Sequence, residues 1–163
     1  MGFTAAGISP TTVTTTQQAP LGFRLTVPQG DNGLAEYVYV KTAGPLAPGE
    51  IAMQSGVVPY LCIISTATIE ANKTYGIAQV TIASGSYGFV LAKGYCPIVS
   101  TNSTSAPAAG NQIAADSAGL ATDNALGSDA AVAANLGHQL TVGAADTTVG
   151  GGTYGTAMID CRG

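Results

Sequence analysis

Few residues in this chain could act as a nucleophile or bind a metal. It has a single histidine, His138, so paired-histidine metal sites such as H-E-x-x-H are excluded. The sequence does not exclude a catalytic pair in which His138 activates a cysteine nucleophile, but no local motif supports one. The G-x-S-x-G elbow of serine hydrolases is absent, because Ile82 and not glycine stands two positions before Ser84. We therefore predict that the protein is not an enzyme.

The motifs for binding anions or cations are incomplete. The stretch 150–153 is glycine-rich, but no lysine follows it and no helix is expected to begin there, as a phosphate-binding loop requires. Asp116, Asp123 and Asp129 lack the alternate spacing and final glutamate of an EF-hand loop. We interpret them as turn-capping carboxylates, with a weak calcium site assembled from several loops as the alternative. We predict no cofactor and no metal site.

The three cysteines, Cys62, Cys96 and Cys161, are odd in number and have no metal-ligand spacing. We expect each of them to be a buried, reduced thiol, and the alternative is a disulfide within one pair. Reduced thiols agree with a cytoplasmic origin. The first residues lack both the basic region and the continuous apolar region of a signal peptide, so no secretion signal is expected.

Charged residues are unusually scarce. Only 9% of the residues are charged, against about 25% in ordinary soluble domains. An uncharged polar surface loses little solvation energy when another protein covers it, so the composition favours a subunit of an assembly. The five cations form no cluster, so we predict no nucleic-acid partner. No apolar stretch reaches the roughly 20 residues that cross a bilayer, so we predict no membrane partner. The longest stretch, Val57–Ile64, is expected to be a buried strand.

The first twenty residues form a distinct segment that has no charge and is rich in threonine. Threonine favours extended backbone, and proline resists helix formation. We therefore expect residues 1–20 to be an extended arm that is loose in the free protein and contacts a neighbouring subunit. The alternative is a frayed terminus. The predicted contact residues are Phe3, Ile8, Pro10, Val13, Thr14 and Thr16.

After residue 20 the pattern is that of short strands separated by turns. Phe23, Leu25 and Val27 alternate with polar residues, as expected for a half-buried strand. The segments 75–83 and 86–93 are expected to form a hairpin with its turn at Ser84-Gly85. The other predicted strands, which are β-branched, aromatic or alternating, are 36–42, a short one around Ile51, 60–66, 96–99, 112–115, 138–142 and 153–161.

Residues 101–136 are rich in small residues, and within them Ser128–Leu136 predicts one short capped helix. The fold class that we predict is all-β: a small β-barrel or β-sandwich of short antiparallel strands, with an extended N-terminal arm and at most one short helix. In this organisation residues 1–20 are the arm, and residues 21–163 form a single β-rich domain.

Several motifs occur in an order that resembles small head proteins of tailed phages. They are Phe23-Arg24-Leu25, a DNG turn, EYVYVKTAG with a Pro-Gly loop, YGIAQVTIASGSYGFVLAKG and the closing LTVGAADTTVGGGTYGTAMID. Over most of residues 21–163 the chain resembles the capsid decoration, or cement, proteins. Tyr87 matches the aromatic residue that this family has after the hairpin turn. The Ala-rich stretch 101–136 and the three cysteines depart from the family pattern.

The resemblance implies a structural virion protein that binds the outer surface of the capsid. There it would cement adjacent major capsid protein subunits and stabilise the expanded shell, with neighbouring copies of itself associating as dimers or trimers. Deletion of residues 1–20 is then expected to leave a folded domain that binds the capsid more weakly. Two other classes stay open: a bacterial surface or pilus-like subunit, and a carbohydrate-binding phage fibre or adhesion module.

Overall fold

The computed structural model describes residues 8–64, 74–101, 108–115, 118–123, 137–145 and 153–161. Their secondary structure is almost entirely β, so the predicted all-β class is confirmed. A 3₁₀ turn, Gly30–Asn32, joins the first two strands. The strands are β1 (Arg24–Pro28), β2 (Leu34–Thr42), β3 (Ile51–Gln54), β4 (Leu61–Ile64), β5 (Thr74–Ala78), β6 (Tyr87–Thr101), β7 (Gln112–Ala115), β8 (Ala121–Asp123), β9 (Gly137–Ala145) and β10 (Thr153–Asp160).

The long strand β6 is shared by two closed circuits of paired strands. In the first circuit, β2, β4, β3, β5 and β6 pair in that order, and β6 pairs with β2 again. In the second, β6, β10, β9, β7 and β8 pair in that order, and β8 returns to β6. The sheet is mixed and not purely antiparallel as predicted, because the β2–β4 and β6–β8 pairs are parallel.

The buried side chains follow this arrangement. One cluster comes mainly from the strands of the first circuit and includes Val40, Cys62 and Val90. A second cluster extends from the first circuit into the second. The third is small and joins the N-terminal segment to β1, β2 and β6 through Ile8, Leu25, Tyr39 and Phe89. The apolar residues that alternate along the strands therefore supply the core, as their period of two predicts.

The predicted hairpin of 75–83 and 86–93 is present as the antiparallel pair β5–β6, in which Ile77 lies opposite Leu91. Its strands differ from the prediction, because β5 ends at Ala78 and residues 79–86 form a longer connection. In that connection Ile82 is fully buried and exchanges two 2.9 Å backbone hydrogen bonds with Leu46. Pairing with the distant Leu46 thus separates residues 79–83 from β6. The predicted turn at Ser84-Gly85 is present, closed by a 3.1 Å hydrogen bond from the Ser86 N–H to the Ala83 carbonyl.

The predicted strands 86–93 and 96–99 are one continuous strand, β6. Gly94 lies within it at φ +109°, and a Cβ there would stand 2.6 Å from the carbonyl oxygen of Leu34. The glycine therefore allows close packing of the β1–β2 hairpin without ending β6. The predicted closing strands are antiparallel neighbours β9 and β10. Their Gly150–Gly152 turn and the predicted helix Ser128–Leu136 lie outside the described residues.

Candidate protein-binding surface

The described residues contain no group of three or more His, Cys, Asp or Glu side chains placed to hold a metal ion. His138 lies on β9 with its backbone opposite Met158. Asp116 and Asp129, considered above as loop ligands, fall outside the described part of the chain. None of the described segments contains a helix that is both long and apolar enough to cross a membrane.

All three cysteines are free and buried, as predicted. Burial raises the pKa of each of the thiols of Cys62, Cys96 and Cys161 to about 12, because the thiolate is poorly solvated in the core. The Cys96 thiol also accepts a hydrogen bond from Gln79 Nε2 and donates one to the Ile98 carbonyl, both at 3.2 Å. Protonated thiols of this kind are inert packing groups and neither nucleophiles nor metal ligands.

Each cation in the described residues contacts a group that offsets its charge. Arg24 forms an ion pair with Glu36 across the β1–β2 pair. Lys93 Nζ lies 3.9 Å from a carboxylate oxygen of Asp160. Lys41 Nζ lies 5.4 Å from the centroid of a tyrosine ring on β6. The described cations are therefore partly offset within the chain, which favours recognition of another molecule through apolar and uncharged polar groups.

Among the described residues, the most exposed large apolar side chain is that of Val57, in the turn between β3 and β4. We call residues 56–59 of this turn the apolar tip. Val57 is 92% exposed and Val58 is 49% exposed. The prediction of a buried strand over Val57–Ile64 is wrong for its first half, since β4 begins only at Leu61. The physical reason is that β3 and β4 are antiparallel, so the chain must reverse between them. Gly56, at φ +61°, makes part of this reversal.

The apolar tip is held by a buried tyrosine. The backbone N–H of Tyr60 donates a 2.7 Å hydrogen bond to the hydroxyl of Tyr75, which in turn donates to Gln54 Oε1 at 3.1 Å. The two tyrosine rings stack with centroids 5.2 Å apart. Ser55 N–H closes the turn on the Leu61 carbonyl at 2.7 Å. The exposed valines are therefore presented by a braced turn, an arrangement that lowers the entropy cost of binding.

The apolar tip and β1 lie along the same edge of β2. Tyr39 N–H bonds to the Phe23 carbonyl ahead of β1, and Lys41 N–H bonds to the Tyr60 carbonyl, both at 2.9 Å. Residues two apart direct their N–H groups to the same side of a strand, so β1 and β4 follow one another there. A Cβ on Gly22 would stand 2.5 Å from the Tyr60 ring, which shows how closely the tip packs on the residues before β1.

The N-terminal segment lies on the protein's own domain in the described residues 8–20. Ile8 is only 8% exposed and packs with Leu25 and Phe89. Thr14 and Tyr87 exchange backbone hydrogen bonds of 3.0 and 2.8 Å, which adds a short antiparallel bridge to β6. The segment is thus attached by both apolar burial and backbone pairing.

The position of the N-terminal segment shows which of the predicted contact residues are already covered by their own chain. Ile8 and Val13, expected to fill pockets on a neighbour, pack against clusters of their own chain, because suitable pockets lie within reach of the segment. Thr16 is exposed, whereas Pro10 and Thr14 are partly exposed, so these three stay predicted contacts. Phe3 lies outside the described residues. The predicted contact residues did not include the apolar tip. The one feature of the sequence that could have indicated it is the absence of charged residues from 51–64.

Comparison with known proteins finds similarity in fold but none in sequence family. No known family model matches the chain, and no curated protein does. Among solved structures, a similar one is the N base of head fiber gp8.5 from bacteriophage phi29, with a TM-score of 0.51. The two are 14% identical, and the match covers 76% of this chain and 92% of that chain. At this identity the comparison establishes that the two chains share an architecture.

Proposed function

We propose that this protein is a non-enzymatic structural component of a phage virion, bound to the exterior of the capsid. The observation that carries the proposal is the shared architecture with the phi29 head-fibre base, 92% of which is covered. A fold that serves as the base of a fibre on one phage head is suited to a protein that attaches to another. The order of the sequence motifs, which resembles that of capsid decoration proteins, agrees with this proposal.

The surface is suited to contact with a protein shell. Only 9% of the residues are charged, and the described cations are already engaged by Glu36, Asp160 and a tyrosine ring. Covering such a surface leaves few charges without a partner. Val57 would gain about 1.5 kcal/mol or more if a pocket on the shell covered it fully, and the half-exposed Val58 would gain about half as much. We therefore assign the apolar tip to the shell contact.

We further propose that each bound copy cements adjacent major capsid protein subunits. The apolar tip and the exposed N-terminal residues lie on opposite sides of the β2–β6 pair, in the order Thr14, Tyr87, Lys41, Leu61. Three strand spacings separate the two ends of this row, about 14 Å. Two separate contacts make the second one intramolecular, which strengthens weak binding. A protein that binds only the assembled shell stabilises that shell by mass action.

The proposal is tested by the number of copies per particle, measured by quantitative mass spectrometry against the major shell protein. We expect a ratio near parity that falls when the exterior of the shell is stripped. A few copies per particle would instead support a fibre or adhesion module, the alternative favoured by the head-fibre likeness. Absence from purified particles would overturn the virion assignment and favour a bacterial surface subunit.

A further inference from the structure

Among the described strands, β1 is the one that pairs on a single side, with β2. The hydrogen bonds beyond its two ends establish which residues face β2. Tyr39 N–H bonds to the Phe23 carbonyl, and Gln29 N–H bonds to the Gly33 carbonyl. Since the pattern alternates along an antiparallel pair, the residues 23, 25, 27 and 29 face β2. The backbone groups of residues 24, 26 and 28 therefore point away from the sheet.

No described strand pairs with this outer edge. The outward N–H and carbonyl groups of Arg24 and Thr26 have no hydrogen-bond partner among the described residues. Arg24, Thr26 and Pro28 are all exposed. The nitrogen of Pro28 carries no hydrogen and faces outward, away from β2. Edge strands tolerate proline in this position, because no hydrogen bond of the sheet is lost. An extended chain that approaches β1 therefore finds free backbone groups at two successive outward positions.

We propose that this edge pairs with β1 of a second copy, antiparallel and with Thr26 opposite the second Thr26. In this register the two threonines exchange both backbone hydrogen bonds, and each Arg24 N–H bonds to the opposite Pro28 carbonyl. The two Arg24 side chains then lie at opposite ends of the strand pair, each beside its own Glu36. No like charges oppose each other, and the central pair is Thr–Thr, a favourable cross-strand combination.

The inner face of β1 adds an apolar contribution. Leu25 is 5% exposed, whereas Val27 is only partly buried against the third cluster. Pairing in the proposed register places Leu25 of one copy across from Val27 of the other, so the half-covered valine gains an apolar neighbour. The contact is isologous and closes as a two-fold dimer. It concerns association between copies and goes beyond the shell binding proposed above.

A thiol-specific crosslink tests this pairing. The native cysteines are buried with their pKa raised to about 12, so they react little with a bismaleimide near neutral pH. We expect Thr26→Cys to be crosslinked to a covalent dimer by a short bismaleimide. The control is Thr81→Cys, at another exposed threonine far from β1 in sequence. Equal crosslinking of the two variants would overturn the proposal.

Charge exchange at the same position tests the register. Thr26→Glu and Thr26→Lys should each lower dimer formation several-fold, because like charges would face each other across the two-fold axis. A mixture of the two variants should restore a heterodimer, detected by native mass spectrometry. Strengthened self-association of Thr26→Glu would contradict the register, since it would place Thr26 opposite Arg24. Crosslinking of Thr26→Cys to shell protein in particles, without dimers, would instead assign the edge to the shell and overturn self-pairing.

Discussion

The hydroxyl of Tyr75 accepts a 2.7 Å hydrogen bond from the backbone N–H of Tyr60, and the two rings stack above it with centroids 5.2 Å apart. Tyr60 has φ +58°, the one positive φ of a non-glycine residue in the described chain. This conformation costs a residue with a Cβ about 1–2 kcal/mol. The hydrogen bond and ring stacking offset that cost, so Tyr75 holds the turn that presents the apolar tip.

Tyr75→Phe should lower the free energy of unfolding by about 1–2 kcal/mol, because it leaves the Tyr60 N–H and the Gln54 Oε1 atom without their partner. Urea denaturation measures the change. Tyr87→Phe is the matched control, since the Tyr87 hydroxyl has no hydrogen bond among the described residues. Equal losses in the two variants would show that the Tyr75 hydroxyl does not brace the turn.

Ile8→Ala should destabilise the domain by about 2–4 kcal/mol, because it leaves a cavity beside Leu25 and Phe89. The exposed Thr15 provides the control, and Thr15→Ala should change the stability by less than about 0.5 kcal/mol. Deletion of residues 1–20 should then weaken the fold itself, and not only capsid binding as the sequence suggested. An unchanged midpoint for Ile8→Ala would restore the picture of a loose arm.

Val57→Asp should weaken binding to capsids of the phage that carries this protein by about tenfold or more. Losing the burial of one valine costs about 1.5 kcal/mol, which corresponds to that factor. Folding should be unaffected, because Val57 is 92% exposed. Thr81→Asp adds the same charge at another exposed position and should bind normally. If both variants bound alike, the apolar tip would not be the contact, whereas the virion assignment would still be decided by copy number.

Stability should fall in alkaline solution between about pH 9 and 12. Burial raises the pKa of the thiols of Cys62, Cys96 and Cys161 from 9.0 to about 12, so only the unfolded chain releases these protons in that range. Their stabilisation is complete below pH 9 and is lost as the pH rises, by about 1.4 kcal/mol per pH unit and thiol. Urea denaturation of wild type and Cys62→Ala from pH 8 to 11 should show a shallower decline for the variant. Identical slopes would contradict a protonated, buried Cys62.

Local patterns in the sequence determined the all-β class and the places of many strands. Three strands, β2, β7 and β10, agree closely with the predicted segments 36–42, 112–115 and 153–161. The reason is that period-two alternation and β-branched residues favour a strand through interactions between residues close in sequence. The sequence also identified three buried thiols, because cysteine is a small apolar residue that cores accept readily. The scarcity of charge, visible in composition alone, favours recognition through apolar and uncharged groups.

The tertiary structure alone decided which of these elements remain uncovered. Val57 and Ile8 are both apolar, yet one is 92% exposed and the other 8% exposed. Their difference arises from contacts with residues far along the chain: Ile8 reaches Phe89, whereas Val57 lies at the reversal between the antiparallel strands β3 and β4. The free edge of β1 likewise follows from a pairing order that joins β2 to β4 and β6. Local propensity cannot specify such non-local pairing, because each partner is chosen by the packing of the whole sheet.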